Sequence, residues 1–156
     1  MESRRVILAG IAASIVMGMI EMLYEAVAGD GFWSPVIYIG ATALRGLQSL
    51  QPPVGFLFWG VVLGLMGHLM NSVILTGIFT AAVGRRVASR GALVVSGAIY
   101  GLVVFVVMWY AVVPAVDPVM LNLNATVFAL AHLMWGIAVG LLLPAPAAAV
   151  VRASAA

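Results

Sequence analysis

The 156-residue chain is 65% hydrophobic and 8% charged, with a mean hydropathy of +1.21, whereas soluble domains carry roughly 45–50% apolar residues. Its net charge of +2 comes from seven arginines and no lysine, scattered between apolar runs rather than gathered into a patch for nucleic acid. Cysteine is absent, which excludes disulfides, thiolate metal sites and haem attached through Cys-x-x-Cys-His.

The first apolar run, Val6 to Ala28, is long enough to cross a bilayer. Its basic start and small-x-small end resemble a secretory signal, but Glu21 and Glu25 interrupt the apolar region such a signal needs, so a retained span is expected. Next comes "GDGFWSPVIYIGATALRGLQSLQPP". It opens with a turn signal and closes with Pro52-Pro53. Ser34 suits a cap and Pro35 the first helical position. Val36, Ile37, Gly40, Ala43, Leu44 and Leu47 recur at helical spacing. Pro35 to Ser49 therefore reads as an amphipathic helix on the outer membrane face, with Tyr38, Arg45 and Gln48 towards water; the alternative is a re-entrant hairpin.

Three more spans follow: Val54 to Val83, Ala92 to Val113 and Asn122 to Leu143. Backbone groups in lipid must satisfy one another, so all four spans are expected to be helices. Between them, Asp117-Pro118 reads as a turn, and Asn122 or Asn124 as the cap of the last helix. Arg4, Arg5, Arg85, Arg86, Arg90 and Arg152 share one side of this topology and only Arg45 lies on the other. The positive-inside rule places both termini in the cytoplasm. Tyr24, Trp33, Tyr38, Trp59, Trp109 and Tyr110 then form a belt at the outer interface. The fold expected for residues 1–156 is a single all-α membrane domain, an up-down four-transmembrane-helix bundle with the outer-face helix added.

Each half of the chain is an in-to-out helix, an outer loop and an out-to-in helix. "AGIAASIVMG" and "SGAIYGLVV" open the two halves, and His-Leu-Met recurs in the second and fourth spans. This is the pattern of a duplicated helical hairpin, related by an axis along the membrane normal.

The two histidines, His68 and His132, both sit deep in apolar runs. In the second span Gly60, Gly64, His68, Ser72 and Thr76 fall on one stripe, with Asn71 beside it. In the fourth, Phe128, His132, Gly136 and Gly140 form the matching row. Small residues in such rows let helices approach closely, and an ionisable ring facing lipid is costly. Both rings are therefore expected in the bundle core, near mid-membrane and on diagonal helices. Glu21 and Glu25 share a face of the first span and extend this polar column outwards.

Several chemistries fit that column. The simplest is structural, each ring meeting a nearby carbonyl, hydroxyl or carboxylate. A second is a b-type haem held by His68 and His132 as axial ligands. A third is a divalent metal or proton-relay site built from Glu21, Glu25, His68 and His132. The methionines read as packing rather than copper ligands. No phosphate loop, nucleophile elbow or metalloprotease motif is present.

The sequence resembles a group of small bacterial four-span membrane proteins. The resemblance rests on "GFWSPVIYIGATAL", the Pro52-Pro53 pair, "GLMGHLMNSVILTGIF", the Arg85-Arg86 turn, "GAIYGLVVFVVMWYAVVPAVDPVM" and "FALAHLMWGIAVGLLL". It implies topology and a bacterial inner-membrane location but no activity, and Glu21 and Glu25 lie outside its pattern. The role expected from the sequence is a non-enzymatic accessory or scaffold subunit, meeting other membrane subunits or its own copies through the small-residue rows. The alternatives are a haem- or metal-binding redox protein and a small transporter or proton-relay component.

Overall fold

The computed structural model describes residues 2–84, 86–87 and 89–144. Arg85 and Arg152, two of the arginines assigned to the inner side, lie outside the described residues. The described chain is helical throughout, with no strand among the described residues. Helix α1 spans Glu2–Ala28, α2 Ser34–Ala41, α3 Phe58–Phe79, α4 Arg90–Val107, α5 Val113–Val116 and α6 Ala125–Leu142. A π turn, Thr80–Gly84, extends α3, and a second, Met108–Val112, joins α4 to α5. Four stretches are long and apolar enough to cross a membrane: Ser3–Ala28, Phe58–Gly84, Arg90–Val116 and Ala125–Leu142. At 1.5 Å per residue, even the shortest, of 18 residues, is ~27 Å long, close to the ~30 Å of a hydrocarbon core.

The ends of these helices have local causes. Expected from Val54, the second span begins only at Phe58. The Val54 N–H instead donates to the Asp30 carbonyl at 2.7 Å, which holds the segment after Pro52-Pro53 extended against the end of α1. Gly31 sits between them at φ +110°, where its α-carbon side lies against the Val54 carbonyl oxygen. Both the left-handed backbone and the close approach demand glycine. The last span starts at Ala125 because the Asn124 side chain accepts from the backbone N–H groups of Thr126 and Val127, as an N-cap does.

The segment after α1 departs from the surface helix expected over Pro35 to Ser49. It is two pieces: α2, and a separate 3₁₀ turn at Arg45–Ser49. Helix α2 does not lie on the outside. Val36, Ile37, Tyr38 and Ala41 are buried, and Gly40 and Val36 meet the backbone of α3 at Gly60 and Gly64. Tyr38 is fully enclosed, its hydroxyl donating to Asp30 Oδ2 at 2.8 Å. Burial and this carboxylate bond both push its hydroxyl pKa upward. Nor does Ser34 act as the cap: its hydroxyl donates to the Gly31 carbonyl, and Trp33 occupies the cap position without a side-chain bond. The amphipathic reading failed because the apolar positions of this segment face α3, while the only long polar side chains belong to the 3₁₀ turn.

Helix α1 packs against both α3 and α6, and α4 packs along α6. Gly10 lies opposite Val73 and Gly18 opposite His68, so α1 and α3 run antiparallel. Gly97 meets Gly136 and Gly101 meets the His132 carbonyl, so α4 and α6 are also antiparallel, with backbones in direct contact. The contact between α3 and α4 is confined to one end. There Tyr100 donates its hydroxyl to the Leu75 carbonyl at 3.1 Å, and its ring packs between Phe79 and Trp135. Beyond it the two helices part. The outward faces carry Ile7, Ile15, Met66, Met70, Ile74, Ile99, Val103 and Leu141, all exposed. Apolar side chains cover the outside, as a lipid solvent requires.

Candidate functional site

Where α3 and α4 part, they leave a cavity of about 260 Å³. Both histidines line it, together with Asn71 and Ser72. The expected convergence of His68 and His132 on one interior space is thus present, although the helices bearing them make little mutual contact. Apolar wall is supplied by Met17 from α1, Ile39 from α2, Val104 from α4, Met108 from the π turn that follows it, and Phe128 and Trp135 from α6.

Each imidazole is fixed by one carbonyl. His68 Nε2 lies 2.9 Å from the Ser14 carbonyl oxygen of α1. His132 Nδ1 lies 2.8 Å from the Phe128 carbonyl oxygen, one turn earlier on its own helix. A carbonyl only accepts, so the nitrogen facing it carries the hydrogen. In the neutral ring the other nitrogen, Nδ1 of His68 and Nε2 of His132, keeps its lone pair. The Phe128 ring packs on that of His132 with centroids 4.4 Å apart, which fixes its plane. Carbonyl anchoring of this kind also orients histidine ligands in metal sites. It satisfies the structural expectation while leaving each ring an unused acceptor.

Ser72 ties three helices together. Its hydroxyl donates to the Gly10 carbonyl of α1 at 2.6 Å and accepts from Trp135 Nε1 of α6 at 2.7 Å. Asn71, one residue earlier, is exposed at the edge of the cavity.

The end of the cavity towards α2 and α5 carries a cluster the sequence reading missed. Asp117 is buried and accepts from the Thr42 hydroxyl at 2.6 Å and from Gln48 Nε2. Gln48 Oε1 in turn accepts from the Val119 N–H, and Arg45 donates to the Val116 carbonyl. These bonds latch the segment after α2 onto the end of α5. A lone aspartate among apolar residues was the available signal, but its partners lie about seventy positions away in the chain.

The carboxylates separate. Glu25 Oε2 accepts from the Asp30 N–H at 2.7 Å, closing the turn after α1, and does not line the cavity of the histidines. Glu21 is buried with Oε1 unpartnered. It shares a second, smaller cavity with His68. The four-ligand metal site expected from Glu21, Glu25, His68 and His132 is therefore not assembled, and no three carboxylate or imidazole groups converge among the described residues. The cavity lends the haem reading no support. A 150 Å³ cavity holds one benzene, so 260 Å³ admits about ten non-hydrogen atoms by the same scale, far fewer than a porphyrin.

Helices of this length and apolarity, with an apolar exterior and a polar-tipped interior cavity, define a multi-pass helical membrane protein. Comparison of the chain with protein-family models, curated proteins and solved structures finds no match.

Proposed function

We propose that this protein binds a small, uncharged, largely apolar molecule bearing a hydrogen-bond donor, in the cavity between α3 and α4. The observation that carries the reading is that His68 and His132 line one cavity while each has its N–H committed to a carbonyl. Two acceptors then stand in an apolar enclosure, the usual make-up of a small-molecule site. A phenol or indole of about ten non-hydrogen atoms suits the volume.

The scaffold role expected from the sequence drew on small-residue rows facing other subunits. Those rows are occupied within the chain: Gly10 by α3, Gly60 and Gly64 by α2, and Gly97 and Gly101 by α6. The argument for a subunit interface along them therefore lapses. The antiparallel pairings support an up-down bundle. A duplicated hairpin is supported by the equivalent contacts of Gly10 on the first histidine helix and Gly97 on the second. The arginine distribution supports cytoplasmic termini, and the bacterial inner membrane rests on the resemblance alone.

Binding is tested in lipid nanodiscs with 2-naphthol against naphthalene, read by tryptophan fluorescence with protein-free nanodiscs subtracted. Saturable 2-naphthol binding is expected. It should weaken roughly 2- to 12-fold in His132→Phe or His68→Phe, the worth of one net hydrogen bond, with naphthalene unaffected. Equal binding of the two probes, or no saturation by either, rejects the reading.

A further inference from the structure

The cavity between α3 and α4 has an open side. Four of its lining residues, Thr42, Asn71, Val112 and Val116, are themselves exposed. Asn71 stands on α3, while Val112 ends the π turn after α4 and Val116 ends α5. The two spans therefore form the lips of one slot, bounded at one end by the Tyr100–Leu75 bond.

The slot opens at the depth of the lipid chains. Asn71 is the midpoint of the 27-residue stretch Phe58–Gly84, ~20 Å from either end at 1.5 Å per residue, and a hydrocarbon core is ~30 Å thick. Beside the lips, Met70 and Ile74 of α3 and Val107 of α4 are each half exposed or more. Asp117 is the acidic member of the lining, but it is buried and engaged by Thr42 and Gln48. An apolar rim at mid-span meets acyl chains rather than water. The second lip is also irregular helix. Its π turn, Met108–Val112, is followed by Pro114, whose nitrogen has no hydrogen for the preceding turn, and π turns recur at functional sites.

We propose that the slot admits a lipid-borne phenol laterally, with the ring entering the cavity and an alkyl tail trailing between α3 and the π turn into the bilayer. This route rests on the ligand site proposed above and narrows its ligand class. The volume of about 260 Å³ limits only the ring end, to about ten non-hydrogen atoms. A tail outside the slot replaces one acyl chain among others and needs no space in the protein. A ligand must also enter hydrocarbon before it reaches the histidines, so sulfonated analogues of the same ring are excluded by the cost of desolvating their charge.

The test uses the whole protein in nanodiscs and a phosphatidylcholine carrying a 6-hydroxy-2-naphthyl group at the end of one acyl chain. This probe stays in the bilayer and reaches the cavity only from the side. Tryptophan fluorescence should saturate with its mole fraction in the lipid, and free 2-naphthol should displace it. Its affinity should fall 2- to 12-fold in His132→Phe, as one net hydrogen bond requires, with the naphthyl counterpart unaffected. Binding of free 2-naphthol without binding of the tethered probe overturns lateral entry and leaves the ligand site standing. Binding of neither rejects the ligand site and the route with it. A ligand-free measurement addresses the slot alone. The chain has no cysteine, so a spin label on Asn71→Cys is unique, and the exposed position spares the fold. Dissolved oxygen should relax this label strongly and an aqueous nickel chelate weakly, as for Ile99→Cys on the outward face. Strong relaxation by the nickel chelate, or by neither reagent, overturns a slot open to lipid.

Discussion

The contact between α4 and α6 gives a sharp test of the packing. A methyl group at Gly136 would overlap the carbonyl of Gly97 and stand 3.1 Å from the Gly101 nitrogen. These are backbone atoms of a facing helix and have no rotamer in which to retreat. Overpacking costs ~1–3 kcal/mol where side chains yield, so Gly136→Ala should cost at least the middle of that range. Gly77 provides the control: it is a helical glycine on α3 with nothing within 4 Å of its virtual Cβ. There alanine should be neutral or stabilise by ~0.5–1 kcal/mol through backbone entropy. The two variants, identical in chemistry, should differ by ~2–4 kcal/mol, or roughly 30- to 700-fold in the folding equilibrium. Unfolding in mixed micelles with increasing SDS, followed by helical circular dichroism, measures that difference. Equal stability of Gly136→Ala and Gly77→Ala would refute direct backbone contact between α4 and α6.

Two further predictions follow from the same geometry. Ser72→Ala removes an acceptor from Trp135 Nε1 and a donor to the Gly10 carbonyl; at the 0.6–1.7 kcal/mol typical of membrane hydrogen bonds, the loss should be ~1–3 kcal/mol. The SDS titration gives its size, and an unmoved Trp135 indole N–H resonance would contradict the bond. Reporter fusions should find the segment carrying Arg86 and Arg90 in the cytoplasm and residues 29–53 outside, since the arginines are otherwise on the wrong side; the opposite assignment would overturn the orientation.

The four spans, their helical state and the interior position of both histidines were legible in the sequence. Each follows from a local physical rule: about twenty apolar residues match a bilayer, lipid forces the backbone to bond with itself, and a small-residue stripe carrying a polar ring turns inward. What periodicity could not supply was the identity of each neighbour. The apolar face of residues 34–41 reads the same whether it meets lipid or α3, and only the Gly40 and Gly64 contacts decide for α3. Glu21 and Glu25 share a helical face, yet the turn at Asp30 captures one while the other is left beside His68. The gap between α3 and α4 is likewise invisible in either helix alone. It arises because Tyr100 joins them at one end while the Asp117 latch lies at the other, and those partners are distant in the chain. Sequence determined which groups enter the membrane interior; tertiary packing decided which of them meet, because a hydrogen bond or a cavity depends on distances between helices that no single helix contains.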